Sequence, residues 1–262
     1  THSIMLFCTS ISNSNGFTTI KGTFPKQGKH NPLLEKVKKP IALLNDGAFN
    51  YDYSLISENV TLTKGIIGNA VKINPNSKLF VLPIGPLDAG YERTISCWVK
   101  TLSIGRQLIF NSGSYWGKGQ FFNLSLNEGN IELSLRPEIY THSKGMKIND
   151  GKWHHVVIVL PQKNGHLKDV QLYLDGLIVS EKTIESPTTK IKTSQANWMA
   201  IATQTPTYKT NLTKTMGMVN YQGFLDDFCI WTRGLSSNEV KDIYTKGLKG
   251  ISALSIENEN PK

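Results

Sequence analysis

A short aromatic and basic segment is the part of this sequence best suited to binding a ligand. Tyr115, Trp116 and Lys118 lie in a run from Ser112 to Gly119 that also holds three glycines. Glycine-rich connections lie at protein surfaces, where sugar rings stack on aromatic faces and polar groups bind hydroxyls or acidic substituents. The segment therefore predicts a glycan site. The open alternative is that both aromatic rings fold back and cap the edge of the fold.

Three other aromatic residues lie in or beside long connections and could extend the same surface. They are Tyr140, Trp198 and Tyr208. The sequence does not fix how distant connections meet, so their clustering is a hypothesis.

Nucleophilic catalysis has no recognisable signature in the sequence. There is no Gly-x-Ser-x-Gly nucleophile elbow and no glycine-rich phosphate loop. His154 and His155 are adjacent on a predicted strand, so their side chains point to opposite faces and cannot act together on one substrate. We therefore expect no enzyme activity and predict structural hydrogen bonds for both histidines.

The overall charge favours acidic partners. The 262 residues carry 29 Lys and Arg against 20 Asp and Glu, which gives a formal net charge of +9. Sulfated or uronate glycans, anionic envelopes and nucleic acid all carry the complementary charge. Nucleic acid is the least favoured of these, because the lysines are scattered and no basic helix or base-stacking signature is present.

The three cysteines, Cys8, Cys97 and Cys229, show no metal-binding spacing. Cys97 and Cys229 lie in long predicted strands and form the pair to test for a disulfide, with buried thiols as the alternative. No apolar run is long enough to span a bilayer.

Hydrophobic patterning predicts a fold made almost entirely of strands. Short runs rich in β-branched and aromatic residues are separated by turn residues, at the spacing of a sandwich. Asp175-Gly176, between two apolar runs, predicts a tight hairpin. The predicted strands are Ala70–Ile73, Leu79–Leu82, Thr94–Thr101, Gln107–Asn111, Phe121–Leu126, Ile131–Leu135, Trp153–Leu160, Val170–Leu174, Leu177–Ser180, Met199–Ala202 and Phe224–Trp231.

Composition divides the chain into three parts. Residues 1–40 combine a short apolar run with Ser/Asn/Gly-rich and Lys-rich sequence, which predicts an arm with one or two strands. Residues 41–250 form the strand-rich domain. It ends in one helix, in which Ser236 caps the first turn, Glu239 reaches back to it and Gly247 stops the apolar stripe. Residues 251–262 are a polar tail.

Five short motifs occur in order along the strand-rich domain. They are GIIGNAVKI at 65–73, TISCWVK at 94–100, DGKWHHV at 150–156, LYLDG at 172–176 and GFLDDFCIWTRGLS at 223–236. In this order they resemble the laminin-G-like jelly-roll family of the concanavalin A-like lectin/glucanase superfamily. The resemblance covers roughly residues 41–250 and implies an all-β fold, one antiparallel β-sandwich of two curved sheets. We expect Trp98 and Trp153 to be inward-facing core residues of this sandwich.

The resemblance also bears on metals and catalysis. Relatives often hold a structural Ca²⁺, and Asp46 in the Asn-Asp-Gly turn together with Asp226 is the predicted location, because hard cations need several oxygens from turns. A solvated turn and a hydrogen-bonded aspartate are the alternative. Glycan-hydrolysing relatives carry the carboxylate pattern Glu-x-Asp-x-x-Glu, which does not occur here.

The expected function is that of a non-catalytic carbohydrate-binding or adhesion module at a cell surface or outside the cell, with a preference for anionic glycans. The first alternative is a structural or decoration protein of a virion, phage tail or surface fibre. Residues 1–40 would then add a strand to a neighbouring subunit, giving a homo-oligomer or larger assembly. The second alternative is a glycan-active enzyme with an unrecognised site. Because proteins with this fold have many different functions, the function has to be inferred from the binding site and not from the fold.

Overall fold

A computed structural model describes residues 13–14, 17–18, 55–81, 90–193, 199–204, 216–231 and 233–253. The strands are β1 Asn13–Ser14, β2 Phe17–Thr18, β3 Leu55–Glu58, β4 Thr61–Lys64, β5 Asn69–Ile73, β6 Lys78–Val81, β7 Arg93–Lys100, β8 Arg106–Gly113, β9 Phe121–Asn127, β10 Asn130–Arg136, β11 Ile139–Ser143, β12 His154–Leu160, β13 Gln171–Leu174, β14 Leu177–Ile178, β15 Lys182–Glu185, β16 Met199–Ile201, β17 Met218–Asn220 and β18 Gly223–Trp231. One helix, α1, spans Ser237–Gly247, and a 3₁₀ turn spans Leu167–Asp169.

These strands form two sheets. In the larger sheet the order is β1-β2-β3-β6-β16-β8-β9-β10-β11-β15, with β17 added to β8. In the smaller sheet the order is β14-β13-β12-β7-β18-β5-β4. The neighbours in both sheets are antiparallel, apart from the parallel pair of β17 with β8. The predicted antiparallel β-sandwich is confirmed.

The main core lies between the sheets. Alternate residues of each strand point into it, as the two-residue period of a strand requires. Cys97, Phe110, Leu124, Val156 and Ile230 are typical members, and each is at least 99% buried. Burying a side chain of this kind contributes about 1.5–3 kcal/mol, so this layer supplies much of the stability of the fold.

A second apolar layer lies on the outer face of the smaller sheet, under α1. Val157, Tyr173 and Trp231 project from the sheet and pack with Val240 and Ile243 of the helix. The helix begins as predicted: the Ser236 hydroxyl accepts from the amide of Glu239, whose carboxylate accepts from the Ser236 amide. This reciprocal capping fixes where the helix starts on the sheet. No helix in the described part of the chain is long and apolar enough to cross a membrane.

The predicted hairpin at Asp175-Gly176 is confirmed. Both residues have positive φ, 50° and 78°, and Leu174 pairs with Leu177 across the turn. This combination is the type I′ geometry that Asp-Gly favours.

The predicted strands all appear, with small shifts at their ends. Strands β3, β4, β11, β15 and β17 were not predicted. Their sequences are short and carry few apolar residues, for example Thr61–Lys64 and Lys182–Glu185. They are held by backbone pairing to a neighbouring strand, which leaves little trace in the hydrophobic pattern.

Cys97 and Cys229 carry buried thiols, which is the alternative that the sequence analysis set against a disulfide between them. Their strands, β7 and β18, are neighbours, with Cys229 paired opposite Ser96. Side chains alternate along a strand, so Cys97 faces the core between the sheets while Cys229 faces the layer under α1. The two sulfurs lie on opposite faces of one sheet and cannot bond.

The two tryptophans expected in the core have different positions. Trp98 is 1% exposed, but it lies on the outer face of β7, where Tyr244 of α1 stacks on it at 5.5 Å between ring centroids. Trp153 precedes β12, is only half-buried and meets Phe224 edge-on at 6.3 Å. Trp98 is a buried core residue as expected, although it lies in the layer under α1 and not between the sheets, and the expectation is wrong for Trp153.

The described parts of the N-terminal arm form the short hairpin β1–β2, as the predicted one or two strands require. Thr18 pairs with Leu55, so the hairpin extends the edge of the larger sheet of its own chain.

Candidate functional site

The aromatic loop between β8 and β9 is held in one conformation by its backbone. The Ser114 amide donates to the Gln120 carbonyl at 3.1 Å, and the Gln120 amide donates to the Gly117 carbonyl at 3.0 Å. Gly113 and Gly119 have φ of 85° and 75°, which only glycine adopts without strain. A ligand would therefore meet a preformed loop.

The two aromatic residues of this loop have separate roles. Tyr115 is 7% exposed and packs with Leu108, Phe121 and Met218 on the outer face of the larger sheet. Trp116 is 65% exposed, and its ring meets that of Tyr115 edge-on at 5.8 Å. Tyr115 folds back, as one interpretation of the sequence held, while Trp116 faces solvent, as the other required.

A lysine-bearing segment lies directly beside this loop. The Lys192 amide donates to the Gly119 carbonyl at 2.9 Å, and a side chain at 119 would overlap the Lys190 carbonyl. Ile191 is fully buried, so Lys190 and Lys192 both point outward, and both are exposed. Lys118 of the loop is exposed as well. Because Gly119 has no side chain, the segment that carries Lys190 and Lys192 can pack closely against the loop, and this brings positive charge next to Trp116.

A second exposed aromatic residue lies on the other side of Ile191. The Ile191 amide donates to the Gly165 carbonyl at 2.9 Å, and a Cβ on Gly90 would come within 2.7 Å of the Ile191 carbonyl. These contacts place Tyr91 beside the segment that carries Ile191. Tyr91 is 37% exposed, and the Lys163 ammonium lies 4.4 Å from the centroid of its ring. Tyr91 was not predicted from the sequence. A Gly-Tyr pair just before a long strand was the only available signal.

The larger sheet brings two further side chains to the same end of the sandwich. The Arg136 guanidinium lies 5.7 Å from the centroid of the Tyr115 ring and forms an ion pair of 3.3 Å with Glu138. Tyr140 pairs in register with Ser134, two residues before Arg136, and is half-buried. We call this surface the basic end. It comprises Tyr91, Trp116, Lys118, Arg136, Tyr140, Lys163, Lys190 and Lys192.

Of the residues predicted to bind ligand, Trp116, Lys118 and Tyr140 belong to the basic end, and Tyr115 is buried beneath it. Trp198 and Tyr208 lie outside the described residues, as does Asp46 of the predicted calcium site.

Asp226 lies in β18, away from the basic end. Its Oδ2 accepts from the Ile67 amide at 2.8 Å and its Oδ1 accepts from the Asp227 amide at 2.8 Å. A side chain on Gly65 would overlap this carboxylate. Burial raises the pKa of Asp226 to about 6, against the lowering effect of those amides. Among the described residues no group of three or more His, Cys, Asp or Glu side chains is arranged to hold a metal, and calcium at this aspartate stays a prediction.

The two adjacent histidines make separate contacts, as predicted. His154 lies between two carboxylates, with Nδ1 2.8 Å from Asp175 Oδ2 and Nε2 3.2 Å from Asp150 Oδ1, and the Asp175 contact raises its pKa. His155 is buried with Nε2 2.7 Å from the Ser96 hydroxyl, and burial lowers its pKa to about 4. The Ser96–His155 pair is inaccessible to a substrate, because both residues are 1% exposed.

Glu132 is a buried carboxylate on the outer face of the larger sheet. Its Oε1 accepts from the Arg106 guanidinium, and its Oε2 accepts from Asn127 at 3.0 Å. A carboxylate held in this way links β8 to β10 across the intervening strand β9.

With this geometry established, comparison with known proteins identifies the family. The sequence model described as the concanavalin A-like lectin/glucanases superfamily, laminin G type, matches residues 74–241. The chain belongs to this superfamily. The match confirms the resemblance drawn from the five motifs and includes Trp116, Lys190 and Lys192 of the basic end. No curated protein sequence matches the chain.

Solved structures with the superfamily fold are similar over about three quarters of the chain. Domain 4 of an extracellular arabinanase from Geobacillus stearothermophilus, solved with arabinotriose, is 18% identical with a TM-score of 0.51, covering 73% of this chain and 87% of that domain. The binding domain of Paraclostridial Mosquitocidal Protein 1 is 17% identical with a TM-score of 0.53, covering 75% and 48%. The binding domain of botulinum neurotoxin serotype D/C is 13% identical with a TM-score of 0.53, covering 78% and 51%. The chain spans about half the length of these toxin domains.

Proposed function

We propose that this protein is a non-catalytic binding module that recognises acidic polysaccharide outside the cell or at a cell surface, through its basic end. The observation that carries this proposal is the exposed Trp116 ring, held by a fixed loop beside the exposed Lys118, Lys190 and Lys192. An aromatic platform bordered by cations fits a sugar ring that bears a carboxylate or sulfate.

The energetics favour recognition of an extended chain over a single sugar. Tyr91 and Trp116 flank the segment that carries Lys190 and Lys192, so successive sugars can stack at two positions while the lysines contact acidic groups between them. Each contact is modest, because exposed ion pairs contribute about 0–1 kcal/mol. Several contacts along one polymer together give useful affinity.

The structural neighbours support a binding role. The arabinanase domain was solved with arabinotriose, and the two toxin domains are named as binding domains. The buried carboxylates of the described residues are all engaged within the protein: Glu132 by Arg106, Asp226 by backbone amides, and Asp227 by the Ser252 hydroxyl and the Ala253 amide. A binding module accounts for these contacts better than an enzyme does.

A glycan array tests the proposal. The protein should bind uronate-containing or sulfated glycans at about 0.15 M salt, and a specific subset should persist at about 0.5 M, where long-range charge attraction is screened. The Lys190→Ala/Lys192→Ala variant should lose most of this signal. The matched variant Lys147→Ala/Lys152→Ala, which removes the same charge elsewhere, should keep it. Equal loss in both variants, or complete loss of binding at the higher salt, would show that the interaction is unspecific charge attraction.

Assembly through residues 1–40 is the second candidate function. It is favoured by the pairing of Thr18 with Leu55, because a hairpin that extends a sheet edge within one chain can make the same pairing with a neighbouring chain. Deletion of residues 1–40 should then abolish a concentration-dependent increase in mass. A monomer at all concentrations, with or without the arm, would exclude this function.

A further inference from the structure

Two aliphatic side chains stand in solvent at the end of the sandwich opposite the basic end. Leu102 is 76% exposed and Ile104 is 74% exposed, both in the loop between β7 and β8. Strand β7 begins at Arg93, near the basic end, and ends at Lys100, just before this loop. Its eight residues span roughly 25 Å. Single exposed aliphatic residues are common on soluble proteins, but two on one loop tip call for an explanation.

The loop that presents them is held by hydrogen bonds. The Thr101 hydroxyl donates to the Gln222 carbonyl at 2.6 Å and accepts from the Ser103 amide at 2.9 Å. The Ser103 carbonyl accepts from the side chain of Gln107 at 2.8 Å. These three bonds hold the backbone on both sides of Leu102, so that Leu102 and Ile104 project from a preorganised support.

An amphipathic rim lies beside this apolar tip. Trp153 packs edge-on against Phe224, and the Lys100 ammonium lies 5.7 Å from the centroid of the Phe224 ring. Both rings are half-buried. Tryptophan and lysine side chains with an apolar body and a polar end are suited to the boundary between hydrocarbon and water.

Positive charge surrounds the tip as well. Lys147 and Lys152 are exposed on the connection between β11 and β12, which is tied to the tip by a 2.9 Å bond from the Gly151 amide to the Thr101 carbonyl. The carboxylate of Asp150 on the same connection accepts from the Lys152 amide and lies 3.2 Å from His154 Nε2. It also forms an ion pair of 3.6 Å with the Lys152 ammonium, and because this pair is exposed it contributes little and a lipid headgroup can replace it. Asp175, on the other side of His154, and Glu128, on the turn between β9 and β10, are further acids in this region.

We propose that the tip formed by Leu102 and Ile104 inserts into the surface of an anionic lipid bilayer, with Lys100, Lys147 and Lys152 contacting lipid headgroups. A protruding pair of aliphatic side chains on a narrow loop fits a fluid hydrocarbon surface, which needs no complementary shape. A protein partner would instead require a broader flat apolar face. The surrounding lysines and the net charge of +9 supply the attraction to acidic headgroups.

Vesicle co-sedimentation tests this proposal. The full chain should bind vesicles of phosphatidylcholine with about 30% phosphatidylserine at least tenfold more tightly than vesicles of phosphatidylcholine alone. Leu102→Ser/Ile104→Ser should weaken binding to the acidic vesicles by tenfold or more. Because both side chains are largely in solvent, this variant should fold normally, which circular dichroism can check. Trp116→Ser, an exposed substitution at the opposite end, should bind vesicles like the wild type.

The lysines give a second measurement. Lys147→Ala/Lys152→Ala should weaken binding to acidic vesicles several-fold, while Lys190→Ala/Lys192→Ala, with the same charge change at the basic end, should have a smaller effect. Failure of the wild type to bind either vesicle would overturn the proposal, as would equal binding by the Leu102→Ser/Ile104→Ser variant. If the wild type self-associates without binding lipid and the variant does not self-associate, the tip contacts a second copy of the chain and the lipid proposal is wrong. None of these outcomes depends on glycan binding.

Discussion

The indole ring of Trp98 packs directly against Gly247, the last residue of α1. A Cβ at position 247 would come within 2.7 Å of Trp98 Cζ2 and 2.9 Å of Nε1. The helix can lie this close to the smaller sheet only because residue 247 has no side chain. Stacking of Tyr244 on the same indole extends the contact.

Gly247→Ala should therefore destabilise the protein. On helix propensity alone the substitution would be favourable by about 1 kcal/mol. Overpacking of the Trp98 contact should outweigh this and leave a net loss of about 1–2 kcal/mol in the free energy of unfolding. Urea denaturation measures the difference, with Lys241→Ala on the exposed side of α1 as the control. An increase in stability would show that the helix can shift away from the sheet at no cost.

The pH dependence of stability should contain two opposing contributions. Burial lowers the pKa of His155 to about 4, so between pH 6.5 and 4 the unfolded state binds a proton that the folded state does not. Stability then falls as the pH falls, by about 2 kcal/mol at pH 4.5. Burial raises the pKa of Asp226 to about 6, so the folded state takes up a proton first and stability rises as the pH falls from 6 toward 4.

Two variants separate these contributions. His155→Gln should lose less stability than the wild type between pH 7 and 4.5, while Asp226→Asn should lose more. Urea denaturation at the two pH values gives the comparison, and only the change with pH matters, since each substitution also lowers stability at pH 7. Parallel behaviour of both variants and the wild type would show that neither group has a pKa in the folded protein that differs from its pKa in the unfolded chain.

The two buried thiols should be chemically inert in the folded protein. Burial raises the pKa of the Cys97 thiol, and both Cys97 and Cys229 are 0% exposed. In a Cys8→Ser variant, a thiol reagent should react only after unfolding and should then find two thiols. A reducing agent should leave the melting temperature unchanged. A drop in that temperature would reveal a disulfide that the opposite orientations of the two side chains exclude.

Calcium binding at Asp226 remains open to a direct test. If 1 mM Ca²⁺ is about 100 times the Kd of the site, calcium binding stabilises the folded protein by about 2.7 kcal/mol. The melting temperature should then rise by several degrees. Asp226→Asn should abolish that increase. Identical melting curves in calcium and in EDTA would remove the site from consideration.

Much of the fold could be predicted from the sequence, because its strongest signals are local. Alternating apolar residues located the long strands, and Asp175-Gly176 and Ser236 with Glu239 located a hairpin and the helix start. Short polar strands such as β4 and β15 were missed because pairing with neighbours, not their own composition, holds them in place.

The candidate site was only partly predictable, because its parts come from distant segments. The exposed ring of Trp116 could be expected from its glycine-rich loop. Lys190 and Lys192 join it through close backbone contacts at Gly119, which no local pattern records. Tyr91 was missed for the same reason, since its position depends on Gly90 packing against Ile191.

The most direct test of the account is the affinity of Trp116→Ala for the acidic glycan that the wild type binds best, measured by titration calorimetry. We expect Kd to rise roughly thirtyfold, the loss of about 2 kcal/mol that removal of an aromatic anchor causes. Melting temperature should be unchanged, because the ring is 65% exposed. Leu102→Ala, at the opposite end, should leave Kd unaltered. An unchanged Kd for Trp116→Ala would contradict the assignment of the basic end as the binding site.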